Sequence, residues 1–157
     1  MTQFSITIKP RSLRALKARL NPDTILEPVQ DGITTLGLLV ERRARQGAPR
    51  DIGDLQRSIM TETKPLFARV HSNLVYHPVM ELGRRPGARM PPPAALADWA
   101  RRKGFTGSLF VLARSIGRRG IKGRFYMRAA AKAGRGALPK ILDDVADAME
   151  IRWRRGS

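Results

Sequence analysis

The chain has no cysteine, which excludes disulfide bonds and cysteine-ligated zinc. Aromatic residues make up only 6% of it against 42% hydrophobic residues overall, so its core must be largely aliphatic. No apolar run approaches the roughly eighteen residues of a membrane span. The opening stretch Met1-Thr2-Gln3-Phe4-Ser5-Ile6-Thr7-Ile8 lacks a basic region followed by a long apolar one, and does not read as a signal peptide. Histidine is limited to His71 and His77. No His-Glu-x-x-His, phosphate-loop or Gly-x-Ser-x-Gly pattern is present. We therefore expect no catalysis, no cofactor and no metal centre. Asp143, Asp144 and Asp147 come nearest to a ligand set for a hard cation. The same residues suit the solvated face of an amphipathic helix, which is the preferred reading. A small hydrolase or toxin would need a site that these residues do not advertise.

Acidic residues are also scarce. Thirteen Asp and Glu face thirty Lys and Arg, a formal charge of +17. The excess is uneven: +5 over residues 1–50, +1 over 51–100 and +11 over 101–157. Of the thirty cations, twenty-three are arginine, whose planar fork matches phosphates and carboxylates better than a lysine does. Such a field favours nucleic acid or an acidic protein surface. Composition alone leaves open a solvated basic face with no fixed partner.

We expect a single domain of α+β class over residues 1–157: a small antiparallel sheet packed by a long helix from the N-terminal half and a C-terminal helix, with a helical insert. Within it, residues 1–50 hold a strand and helices, 51–92 a hairpin and an Arg/Pro loop, and 93–157 the helical part. Phe4, Ile6 and Ile8 alternate as in a strand, and Ser12 is the expected cap of a helix over Leu13–Leu20. Ile25, Val29, Ile33, Leu36 and Val40 recur at helical spacing. They predict a long helix capped by Asp23 or Thr24 and ending near Arg45, with Pro28 in its first turn. Leu55–Thr63 and Leu66–Leu74 read as strands around a Lys64-Pro65 turn, followed by a short helix at Tyr76–Leu82. Gly83–Pro93 holds three arginines, two glycines and four prolines, the texture of an irregular loop. Ala94–Lys103 is expected to be helical, with Leu96 and Trp99 as packing anchors. Ser108 is the expected cap of a helix over Leu109–Ile116, and Gly117–Gly123 reads as a basic loop. Phe125–Ala133 looks helical or part strand, with Phe125, Tyr126 and Met127 as core anchors. Gly134 and Gly136 are expected to interrupt. A last helix carries Leu138, Ile141, Leu142, Val145, Ala148, Met149 and Trp153 on one stripe.

Three segments in this order resemble a known family. They are Gly53-Asp54-Leu55-Gln56-Arg57-Ser58-Ile59, Tyr76-His77-Pro78-Val79-Met80-Glu81-Leu82-Gly83-Arg84, and Gly120-Ile121-Lys122-Gly123-Arg124-Phe125-Tyr126-Met127-Arg128-Ala129-Ala130. The stretch from Gly53 to Ala130 resembles the tail-completion or head–tail joining proteins of long-tailed phages, the gene-ten-like minor tail family of lambdoid siphophages. It departs from the family pattern at His77, Leu82, Arg84 and Gly123 and in a longer helical insert over Pro93–Ile116. The resemblance implies a structural virion protein of the neck, made in the host cytoplasm. It implies a homo-oligomeric ring, six-fold or twelve-fold, that joins head to tail beside other neck and tail proteins and encloses DNA without sequence specificity. No membrane partner is implied.

Two groups of side chains are candidates on this reading. Tyr76, Glu81, Arg84, Arg85 and Arg89 would contact a neighbouring subunit or neck partner. Glu81 is expected either to pair with the arginine-rich loop or a second copy, or to be a simple exposed carboxylate. Arg114, Arg118, Arg119, Lys122, Arg124 and Arg128 would face channel DNA or an acidic partner. The alternative is a stand-alone basic nucleic-acid-binding protein, although no helix-turn-helix, zinc-finger or RNA-recognition pattern is visible.

Overall fold

The computed structural model describes residues 22–155. The strand expected at Phe4–Ile8 and the helix expected at Leu13–Leu20 lie outside the described residues. The described elements are helix α1 (Pro22–Gly47), helix α2 (Asp54–Ser58), strands β1 (Ile59–Lys64) and β2 (Phe67–Ser72), and helix α3 (His77–Leu82). Strand β3 (Gly83–Arg84), a 3-10 turn (Pro93–Leu96), helices α4 (Ala97–Arg102) and α5 (Leu109–Arg119), strand β4 (Ile121–Lys122) and helix α6 (Tyr126–Arg155) follow. The class is α+β, with two two-stranded sheets, β1–β2 and the antiparallel β3–β4.

The chain gathers into two compact units, each assembled from separated stretches. Of the described residues, the first comprises 22–42, 60–71 and 131–155; the second comprises 43–59 and 72–130. The helices α1 and α6 contribute to both.

In the first unit, α1 begins at Pro22 and ends at Gly47. It thus includes Asp23 and Thr24 rather than starting after them. Pro28 consequently lies beyond the first turn, inside the helix and buried. Close backbone approaches explain the packing. A Cβ on Gly37 would lie 2.8 Å from Thr61 Cγ2 and 3.1 Å from the Ala68 Cβ of the hairpin. A Cβ on Gly32 would lie 2.5 Å from Val145 Cγ2 of α6. The hairpin is tied to α1 by Thr61 Oγ1 donating to Gly37 O at 3.3 Å, and by Leu66 N donating to Gln30 Oε1 at 2.7 Å. Leu66 sits in the left-handed region, φ 57°, so the turn after Pro65 forces a branched side chain into a conformation it disfavours.

Gly134 and Gly136 do not interrupt α6, which runs unbroken for 30 residues and also contains Pro139. Gly134 is there for contact: a Cβ would meet Val40 Cγ2 at 2.6 Å. Tertiary packing of this kind outweighs the ~1 kcal/mol helix penalty of a glycine. The stripe on α6 is narrower than its pattern suggests. Ile141 is buried and Val145, Ala148, Met149 and Trp153 are half-buried, whereas Leu138 and Leu142 are exposed.

In the second unit, Leu55–Ser58 forms a helical turn and not the start of a strand. Gly53, at φ 87°, sets the turn, and its carbonyl accepts from Arg57 N at 2.9 Å. Ser58 Oγ then donates to Leu55 O at 2.8 Å. Only from Ile59 does the chain extend, where the Arg45 guanidinium donates twice to the Ile59 carbonyl. The helix after Ser108 continues to Arg119, past the expected end at Ile116. Gly117 carries it through because it is buried against Ala88 O and Met90. Trp99 is 41% exposed, so the buried anchor of α4 is Ala100 instead. Of Phe125, Tyr126 and Met127, only Tyr126 is a fully buried core residue, and Phe125 lies exposed at φ 52°.

Candidate polyanion and assembly site

Helix α3 delivers a carboxylate to the start of α6. Glu81 is buried, and its two oxygens accept from Met127 N at 2.9 Å and Arg128 N at 3.0 Å. The first N–H groups of a helix have no partner within it, and a negative charge there is favoured by the helix dipole. Glu81 therefore caps α6. It neither pairs with the arginine loop nor stands exposed. The backbone reinforces the joint: Arg124 N donates to Met80 O at 2.9 Å and Phe125 N to Glu81 O at 3.0 Å. Beside it, His77 Nδ1 and Tyr126 Oη share a 2.6 Å hydrogen bond, with their rings edge to face. Burial, and secondarily the Glu81 charge, pushes the Tyr126 phenol up to about 12.

This joint aligns a ribbon. Strand β3 pairs antiparallel with β4, Gly83 opposite Lys122 and Arg84 opposite Ile121. Gly87 N extends the contact by donating to Gly117 O at 2.8 Å. Gly83 and Gly120 both have positive φ, 79° and 73°. A Cβ on Gly120 would lie 2.3 Å from Arg84 O. The Gly83–Pro93 segment is thus not wholly irregular, and Gly117–Gly123 is a helix end plus a strand rather than a loop. Directly opposed residues of an antiparallel pair share a face. Arg84 therefore lies with Ile121, and Lys122 belongs to the other face. The first face borders an open depression of about 520 Å³ lined by Leu82, Gly83, Arg84, Arg85, Ala88 and Ile121.

The ribbon brings together two basic segments that are more than thirty residues apart in sequence. Arg84 and Arg85 come from the candidate interface group; Arg118, Arg119, Lys122 and Arg124 come from the candidate polyanion group. Arg84 is half-buried, and its Nε is shut from solvent without a hydrogen-bond partner. Arg85, Arg89, Arg114, Arg118, Arg119, Lys122 and Arg124 are exposed, and none has an ion-pair partner among the described residues. Arg128 lies in the first turn of α6 with its guanidinium 4.7 Å from the centroid of the Phe125 ring, a cation–π contact. Tyr76 lies exposed at the N-terminus of α3. Burial raises its phenol first, and the carboxylates of Asp54 and Asp51 add to this.

Four other cations of the unit are paired with carboxylates. Arg57 pairs with Asp54, Arg101 with Asp98, and Arg102 and Lys103 both with Asp51. Their pull holds the Asp51 carboxyl below its usual value. Among the described residues no group of three or more His, Asp or Glu side chains is placed to hold a metal ion. No helix among them is long and apolar enough to cross a membrane. His77 and Tyr126 as a bonded pair, and Glu81 as a cap, were not legible from the sequence, because their partners lie 45 or more residues away. The chain matches no protein-family model, no curated protein and no solved structure.

Proposed function

We propose that the chain is a non-catalytic structural subunit of a phage neck ring, joining head to tail with its basic ribbon beside the DNA channel. The observation that carries this is the convergence of Arg84, Arg85, Arg118, Arg119, Lys122 and Arg124 on one ribbon and the adjoining helix end, with no ion-pair partner for any of them among the described residues. Exposed, uncompensated cations repel one another unless a polyanion or an acidic surface faces them. DNA passing through a ring supplies such a partner without requiring base recognition.

Two further features support the reading. The segments that carry the resemblance, Tyr76–Arg84 and Gly120–Ala130, are bonded to each other through Met80, Glu81 and the ribbon. They therefore act as one structural piece. The same unit leaves Val75 at 95%, Leu82 at 61% and Val111 at 61% exposure, apolar surface that an assembly would cover.

The test is Arg118→Glu with Arg119→Glu. In a particle that carries this protein, the reading expects the double variant to lose DNA retention or infectivity. Deleting the chain should leave filled heads and separate tails. With purified protein, duplex DNA affinity should fall steeply with salt, and the double variant should flatten the log–log slope by about 2. Normal particles from the deletion, or an unchanged slope in the double variant, refute it. Salt-dependent DNA binding by a chain that never assembles would instead favour a stand-alone nucleic-acid-binding protein.

A further inference from the structure

The face of the ribbon that carries Arg84 and Ile121 borders the depression, and the chain carries a surface that complements it. We infer that the depression bordered by Arg84 and Arg85 receives the acidic face of α6 from a second copy of this chain, which makes the contact that propagates the assembly. The inference rests on the ring reading above and adds which surfaces meet.

On the receiving side, Arg84 Nε is enclosed and has no acceptor. An orphaned buried donor is costly, and the part of the Arg84 side chain that lines the depression is suited to a carboxylate. The surrounding wall is partly apolar, from Leu82, Ala88 and Ile121. A phosphate backbone makes little use of such a wall, whereas a carboxylate flanked by an aliphatic side chain fits it. Lys122 lies on the opposite face of the ribbon by register, so the depression and the DNA-directed cations need not compete.

On the donating side, Asp143, Asp144 and Asp147 are exposed on α6 and have no ion-pair partner among the described residues. At about 100° per residue, Asp143 and Asp147 fall on the face opposite Ile141 and Val145, which pack inward, and Ile151 lies at the edge of that outer face. Ile151 is 50% exposed and follows Asp147 by one helical turn. Lys140 lies at one end of this face. At the other, Arg154 is already engaged by Glu150. Asp143 and Asp147 repel each other at i,i+4 spacing, and an incoming pair of arginines would relieve that.

The two faces differ, so the contact is heterologous. Repeated from copy to copy, it generates a ring where the rotation closes. Charge complementarity identifies the occupant: one chain supplies both the unpaired acids and the unpaired cations.

The experiment uses the full chain at low ionic strength, where exposed charge pairs are least screened. Arg84→Glu with Arg85→Glu reverses one face; Asp143→Lys with Asp147→Lys reverses the other. Sedimentation velocity should show each variant alone dissociated, with the association constant lowered about a hundredfold or more. An equal mixture should reassemble, because each variant's altered face then meets its complement in the other, and the rings should be even-membered. Because the chain has no native cysteine, Arg85→Cys with Asp147→Cys gives an independent readout: oxidation should yield covalent multimers. If either reversed variant assembles like the wild type, or if the mixture fails to reassemble while both variants keep the wild-type circular dichroism, the contact is wrong and the ring reading stands on its own. A wild-type chain that remains monomeric at every concentration overturns both.

Discussion

Replacing Glu81 with glutamine tests the joint on which the ribbon depends. The carboxylate satisfies two consecutive N–H groups, those of Met127 and Arg128, from a position only 8% exposed. Glutamine keeps one acceptor oxygen and turns an NH₂ toward the second donor. One buried N–H then loses its acceptor, which costs about 1–3 kcal/mol. Loss of the negative charge at the helix N-terminus removes a further ~0.3–2 kcal/mol, the upper end applying to buried geometry. Glu81→Gln should therefore destabilise the fold by about 2–4 kcal/mol, or roughly 4–16 °C in Tm for a chain of this size. Differential scanning calorimetry reads the loss. Native-state hydrogen exchange localises it, since the amides of Met127 and Arg128 should lose protection first. Glu62→Gln is the control, because Glu62 sits in an exposed pair with Lys64 and the variant should melt with the wild type. If Glu81→Gln melts with the wild type and the two amides stay protected, Glu81 is not a helix cap and the account of the joint is wrong.

Three further outcomes are expected. Gly120→Ala combines a φ of 73° with a Cβ placed 2.3 Å from Arg84 O; it should cost at least ~2 kcal/mol in urea unfolding and weaken DNA binding with it. The two glycines early in α6 should behave oppositely: Gly134→Leu, forced against Val40, should destabilise by about 1–3 kcal/mol. Gly136→Ala, with nothing within 4 Å, should stabilise by up to ~1 kcal/mol. Ultraviolet titration should find one phenol at about 12, and Tyr126→Phe should remove it. Because folding raises this pKa, its contribution to stability is complete below pH 10, the ordinary phenol value, and fades as pH rises toward 12. A wild-type phenol titration centred at the ordinary value would contradict the burial of Tyr126.

Periodicity and charge were enough to determine part of this molecule. The spacing Ile25, Val29, Ile33, Leu36, Val40 specifies a helix because one face of it must leave water, and α1 is there. Lys64-Pro65 separates two strands because proline starts a turn, and β1 and β2 flank it. The basic excess after residue 100 was plain from the count of side chains. The tertiary structure decided what local signals cannot encode. Gly134 and Gly136 read as breaks because glycine has poor helix propensity. Yet Gly134 is where α6 meets Val40, and the packing that removes the need for a Cβ also holds the helix. Leu55–Ser58 read as the start of a strand, but a positive φ at Gly53 sets a helical turn there instead. Glu81 read as a partner of the arginine-rich loop or of a second copy, or as an exposed carboxylate, because the N–H groups it accepts from, those of Met127 and Arg128, are 46 and 47 residues away. The meeting of Arg84 with Ile121 belongs to the same class of fact. Strand register is set by the packing around it, and only that register places two basic segments side by side and divides their side chains between two faces.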